Sequence, residues 1–221
     1  MAEGRGQGGI GYFERLGVTP ALVRETLAAA LSRGGDHADV YFQHRVASDV
    51  GLEDGEVNRA HASVELGAGV RVVKGDQTGY GYTEDLPLPA RPACARTAAA
   101  IADGPSREGP ASLHVPGRLP DRYPLVRPWD AVRPEEKLPI LAALNERAFA
   151  ADPRVRKVNV YLRDESGAIL VADATGRVVE DRQPMTLLYL SLLAEDRGQE
   201  LRSRRLRARL ERDRVARPEP G

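Results

Sequence analysis

The sequence predicts an α+β protein, built from antiparallel sheets and about three helices. Three observations carry that expectation: repeated runs of alternating apolar and polar residues, glycine-containing pairs between those runs, and three stretches with helix signals. Thr19-Pro20 supplies an N-cap followed by proline at the first helical position. Leu22, Leu27, Ala30 and Leu31 then form an apolar stripe that ends at Gly34-Gly35, so a helix is read over 20–33. An Ala-rich stretch holding Cys94, closed by Gly104-Pro105, predicts a second helix over 89–102. Pro134-Glu-Glu-Lys opens a third over 134–151, with Pro139 near its first turns.

Strands fill the intervals. Val40, Phe42 and Val46 alternate with polar neighbours, and a further strand carries Val50 and Leu52. Asp54-Gly55 is the pair favoured where a two-residue hairpin loop needs positive φ, and Val57 opens the next strand. After the third helix, Val158, Val160 and Leu162, then Ile169 and Val171, Val178, and finally Leu188, Leu190 and Leu192 alternate, with Ser166-Gly167 and Thr175-Gly176 read as turns. Residues 104–133 are rich in Pro, Gly and Arg without a period and read as a connection.

The stretch Val64-Glu-Leu-Gly-Ala-Gly-Val-Arg-Val-Val-Lys-Gly-Asp-Gln-Thr-Gly-Tyr-Gly-Tyr82 suggests a phosphate-binding loop at first sight. A dinucleotide fingerprint needs a third glycine where Val72 stands and a helix after it, and Lys74-Gly75-Asp76 is no Walker sequence. Val64, Leu66, Ala68, Val70 and Val72 instead share one face at period two. The reading is two strands joined at Lys74-Gly75-Asp76-Gln77, with Gly67, Gly69, Gly79 and Gly81 allowing bending or the approach of another backbone.

The chain has 221 residues, 42% hydrophobic and 29% charged, with thirty-two basic and thirty-two acidic side chains. That balance removes any whole-chain electrostatic argument for nucleic acid or an anionic membrane. Cys94 has no partner for an intrachain disulfide, and no run of eighteen apolar residues occurs, so a cytoplasmic protein is expected. The organisation expected is a flexible Gly-rich N-terminus over 1–18, one α+β domain over 19–196, and an arginine-rich tail over 197–221.

Chemistry is sparse. His37, His44, His61 and His114 form no zinc-spaced set, no Gly-x-Ser-x-Gly elbow is present, and Cys94 reads as a small buried thiol. No catalytic residue and no metal ligand is assigned. Tyr80 and Tyr82, two apart on a strand, share a face and could pack or grip a peptide. With Arg71 they are the candidate contact residues.

Ala38-Asp-Val-Tyr-Phe-Gln, Leu52-Glu-Asp-Gly, and Gly67-Ala-Gly-Val-Arg-Val-Val-Lys-Gly-Asp-Gln-Thr-Gly-Tyr-Gly-Tyr82 together resemble the N-terminal part of TldD proteins of the TldD/PmbA family. Pro134-Glu-Glu-Lys-Leu-Pro-Ile-Leu and the hairpins through Leu193-Ala-Glu-Asp extend the resemblance, which covers about residues 10–198. It implies the N-terminal α+β domain of a cytoplasmic zinc metallopeptidase whose catalytic domain carries a His-Glu-x-x-x-His helix. It also implies pairing with a PmbA (TldE) relative and action on peptides or unfolded proteins. That motif is absent here, so zinc is implied for the full-length family and no cofactor for this chain.

Arg202 to Arg217 holds eight arginines in sixteen residues, beginning where the resemblance fails. The segment is read as the product of a shifted frame in a GC-rich gene, or else as a frayed basic helix. The leading expectation is a truncated, inactive N-terminal domain. Its rival is a non-catalytic module that binds a PmbA/TldE-like partner, self-associates, or takes up an extended peptide by strand addition. Nucleic-acid contact through the tail is the weakest expectation.

Overall fold

Turn chemistry organises the chain. In the computed structural model, which describes residues 11–84, 90–115, 124 and 126–209, strand β1 (His37–Glu53) and strand β2 (Glu56–Lys74) are joined by Asp54-Gly55. Both turn residues have positive φ, 53° and 90°, as a two-residue hairpin demands. Gly75 at φ 57° turns β2 into β3 (Gln77–Thr83), whose antiparallel register runs from Lys74↔Gln77 to Ala68↔Thr83.

Helix α1 (Gly11–Glu14) and helix α2 (Pro20–Leu31) precede these strands, and α3 (Ala90–Ala99) follows them. A 3-10 turn (Trp129–Ala131) leads into α4 (Pro134–Ala151), then β4 (Val155–Asp173), β5 (Val178–Asp196) and β6 (Gln199–Arg209). The six strands form one antiparallel sheet in the order β3-β2-β1-β4-β5-β6. The α+β reading and the three expected helices hold. In α2, Thr19 Oγ1 accepts the Leu22 N–H at 3.2 Å with Pro20 in the first turn, the predicted cap.

Four expectations are corrected. The break expected between Val46 and Val50 is absent, because β1 runs unbroken for 17 residues. Ser166-Gly167 is no turn: it lies inside β4, and a Cβ on Gly167 would sit 3.2 Å from the Gln183 carbonyl oxygen, so the glycine serves close strand approach. The packed chain begins at Gly11 rather than Thr19. Phe13 and Val18 are fully buried, and the Glu180 carboxylate accepts the backbone N–H groups of Phe13 and Tyr12 while burial pushes its pKa up. Residues 1–10 lie outside the described residues.

The fourth correction concerns the arginine-rich segment. Arg197 and Gly198, at φ 50° and 81°, form another two-residue turn, after which all eleven residues of β6 pair with β5 from Asp196↔Gln199 to Thr186↔Arg209. Backbone pairing along a ready-made neighbour outweighs the weak helical tendency of a basic segment. Residues 210–221 lie outside the described residues.

The chain divides into two compact units, one within 1–44, 65–120 and 168–182, the other within 45–64, 121–167 and 183–221. In the first, α2, α3 and the strands bury Val23, Leu27, Phe42, Val70, Val72, Ala98 and Leu170 around Phe13. Each large side chain so buried contributes about 1.5–3 kcal/mol. In the second, Leu141 of α4 packs on Val50, Leu52, Val160 and Leu162, with Leu188 and Leu190 against them.

A buried ion pair lies in that second unit. Lys137 Nζ is 2.6 Å from Asp164 Oδ2, with side-chain exposures of 2% and 3%. It also donates to Ser48 Oγ at 2.9 Å and lies 5.9 Å from the centre of the Trp129 ring. Burial pushes the Asp164 carboxyl up, opposed by Lys137. Removing one partner strands the other charge in the interior. Lys137→Met is therefore expected to lose about 3–5 kcal/mol in urea denaturation, and Lys137→Met with Asp164→Leu to recover most of it. Equal losses in the single and double variants would show that a stranded Asp164 charge is not the cause of the loss.

Candidate functional site

The outer face of β1, β2 and β3 in the first unit gathers the residues singled out from sequence. Period-two alternation turns Ala68, Val70 and Val72 into the core and leaves Arg71 on the opposite face. The register sets Arg71 opposite Tyr80 and Gly69 opposite Tyr82. Arg71 donates through Nε and Nη2 to Asp39 Oδ2 at 2.8 and 2.6 Å. His37 Nε2 stands 3.8 Å from the same oxygen. The ring of Tyr80 leans over Gly69, where any Cβ would strike its hydroxyl. Tyr80 and Tyr82 are 62% and 74% exposed.

Gly79 and Gly81 face inward. A methyl on Gly79 would collide with the Ala98 carbonyl, and one on Gly81 with the Cys94 carbonyl. Their role is to let the α3 backbone lie directly on β3, as expected of glycines in a strand approached by another backbone. Cys94 itself is buried in that contact, and burial pushes its thiol up. An inert, packed cysteine results.

The groups gathered on this face are of the kinds that make contacts. Two phenols, a guanidinium already shared with Asp39, and an edge strand give stacking, hydrogen bonding and strand pairing. Among the described residues no three His, Cys, Asp or Glu side chains come together to hold a metal ion. His44 is engaged by the Tyr12 hydroxyl at 2.5 Å, and His114 pairs through its backbone with Gly176 and Val178. The residues described here do not fit a zinc site. Among them, no helix is long and apolar enough to cross a membrane.

Two features of the second unit went unread in the sequence. The Lys137–Asp164–Ser48 cluster joins residues far apart in the chain, with no local signal. A row across four strands sets Arg59 of β2 over the Tyr161 ring of β4 at 5.6 Å, and Tyr161 against Tyr189 of β5 at 4.9 Å. Gly51 of β1 opens the gap, since a Cβ there would lie 3.1 Å from Tyr161 Cβ and 3.4 Å from Arg59 Cβ. A glycine inside an otherwise regular strand was the available sign.

Residues 38–102 match the family model described as PmbA/TldA metallopeptidase domain 1, and residues 127–214 match the central domain of the same metallopeptidases. Together these matches span more than half of the chain. The chain belongs to the PmbA/TldD family. A metalloprotease TldD homolog of Haemophilus influenzae is 30% identical over 170 residues, which cover 75% of this chain and 35% of that protein. A TldD homolog of Buchnera aphidicola from Acyrthosiphon pisum is 29% identical over 171 residues, covering 76% and 35%. The chain thus spans about a third of the length of these curated relatives.

Solved structures share the PmbA/TldD fold. A candidate modulator of DNA gyrase from Bacteroides thetaiotaomicron superposes with a TM-score of 0.70 at 15% identity, covering 87% of this chain and 46% of that one. One from Thermotoga maritima gives 0.66 at 19%, covering 87% and 44%. TldE from Thermococcus kodakarensis gives 0.62 at 16%, covering 86% and 43%. The central-domain match runs to residue 214, past Gly198. Family likeness therefore does not stop where the arginines begin, which removes the ground for reading that segment as foreign.

Overpacking at a glycine pressed by backbone costs about 1–3 kcal/mol. Gly81→Ala is expected to lower stability by that amount in thermal unfolding, whereas Tyr82→Ala, on the open face, stays within about 0.5 kcal/mol of the parent. A neutral Gly81→Ala would remove the packing explanation of the motif.

Proposed function

We propose that this chain is the N-terminal, non-catalytic part of a TldD-like zinc metallopeptidase, serving to position peptide or unfolded-protein substrate and a PmbA/TldE-like subunit in the cytoplasm. The observation that carries the reading is the pair of matches, to the first and to the central domain of a metallopeptidase. In this reading zinc is held by a part of the longer protein that this chain does not include. No residue described here is a ligand.

Purified chain given zinc and a reduced, alkylated unfolded protein is expected to release no fragments and to retain no stoichiometric zinc by elemental analysis. Cleavage that chelation abolishes and zinc restores would overturn the proposal.

A second reading is favoured by one observation: β3 is an edge strand carrying two exposed tyrosines on one face. In it the chain binds an extended peptide without cutting it, the peptide pairing with β3 while Tyr80 and Tyr82 flank its side chains and Arg71 orients the adjoining surface. Alanine at either tyrosine is expected to weaken binding of the unfolded protein about fivefold or more by calorimetry. Unchanged affinity in Tyr80→Ala, Tyr82→Ala and Arg71→Ala would move the contact elsewhere.

A further inference from the structure

Helix α1 and the turn after it form a flap on the first unit. Phe13 and Val18 enter the core from it, both fully buried. The Phe13 ring lies 6.3 Å from that of Phe42 and edge-on to Tyr12 at 5.4 Å. The flap is folded on itself: Leu16 and Val18 donate to the Phe13 carbonyl, and Gly17 to that of Glu14. Gly17 turns the chain at φ 80°, with nothing within 4 Å of where a Cβ would stand. A left-handed, uncrowded glycine is a position where the chain can swing without meeting a neighbour.

Glu180 of β5 ties this flap to the sheet. Its carboxylate accepts the backbone N–H groups of Phe13 and Tyr12, which a four-residue helix cannot satisfy within itself. Its Oε2 is buried and has no hydrogen-bond partner among the described residues. Burying one oxygen bare penalises the charged form of a carboxyl more than the protonated form.

Charged and titratable groups face this latch from three elements. Arg15, just past α1, and Arg182 of β5 favour the ionised carboxylate, and both guanidiniums lie against the Tyr12 ring, at 5.4 and 4.9 Å. His44 of β1 meets the flap through the Tyr12 hydroxyl, 2.5 Å from its Nδ1. Burial outweighs the two N–H groups and the two arginines, so the Glu180 carboxyl titrates above its ordinary range while the flap is down. A group that holds its proton more tightly in the closed state favours closure as pH falls.

We infer that Gly11–Val18 is a proton-sensitive flap, hinged at Gly17 and latched by Glu180: proton uptake at Glu180 holds it down over Phe42, and ionisation lets it lift by local opening. Lifting gives water access to both carboxylate oxygens and changes the apolar surface that the first unit presents. The effect is complete below the ordinary glutamate pKa of about 4.3 and is lost as pH rises through the raised value. Nothing in this inference depends on the proposed function.

Amide exchange of the full 221-residue chain tests it, each rate being taken relative to an unstructured peptide at the same pH. The amides of Tyr12, Phe13, Leu16, Gly17 and Val18 are expected to be about threefold or more better protected at about pH 5 than at about pH 8. Val70 and Val72 of the core report that the unit is folded in each sample. Glu180→Gln, uncharged but still offering an acceptor oxygen, should keep the flap protected at both pH values and remove the dependence. Glu180→Ala should lift it at both. His44→Gln, which retains an acceptor for Tyr12 but does not titrate, should leave the pH response intact. Flap amides equally protected at the two pH values, or better protected at the higher one, would overturn the inference. So would a response that survives Glu180→Gln, or one that His44→Gln abolishes, which would give the sensing to the histidine.

Discussion

Backbone pairing must stay in phase along strands of 17 and 19 residues, and the packing of this protein depends on it. A slip of one residue would send every side chain of a strand to the opposite face. β4 shows what is at stake: Val158 serves one core cluster, Val160 and Leu162 a second, and Ala168, Leu170 and Ala172 a third. The register is pinned where the turns permit no alternative. Asp54 takes the left-handed conformation at φ 53°, and its Oδ1 accepts the Val158 N–H at 2.7 Å while its own N–H donates to the Val158 carbonyl. One turn residue thereby fixes the β1–β2 hairpin and the entry into β4 together.

What could be read in the sequence was whatever has a local cause. Asp54-Gly55, Thr19-Pro20 and the alternation through Val72 act over a few residues, and each appears where the pattern put it. Gly79 and Gly81 were legible as glycines demanded by a neighbour, although the neighbour was not. Ser166-Gly167 misled because a glycine needed for strand approach and one needed for a turn look alike without the partner strand. Tyr12, Phe13 and Val18 were hidden by the glycines around them. The arginine-rich segment misled for a related reason: composition describes side chains, whereas β6 is held in place by its backbone against β5.

The candidate site divides the same way. Arg71, Tyr80 and Tyr82 could be placed on one face by counting in twos, and the structure adds the Asp39 carboxylate that holds Arg71. The Lys137–Asp164 pair could not be foreseen, since nothing near either residue announces the other. A lysine in the first turn of α4, next to Glu135 and Glu136, has the setting of a solvated charge in the sequence. Its burial is tolerable because Asp164, Ser48 and the Trp129 ring all face the ammonium. The pair is closed on itself, so it stabilises an arrangement rather than offering a free acid or base.

The short strand β3 connects these themes. Its inner face is glycine at 79 and 81 because α3 lies on it backbone to backbone, and this leaves its large side chains, Tyr80 and Tyr82, on the outward face. β3 also pairs with only seven residues of β2, so among the described residues Glu56 to Leu66 have no strand partner on that side. A side-chain surface and a main-chain edge thus arise from one economy of length. They recognise by different physics: phenol rings discriminate by shape and stacking, whereas an open edge accepts any extended backbone whose facing charges agree.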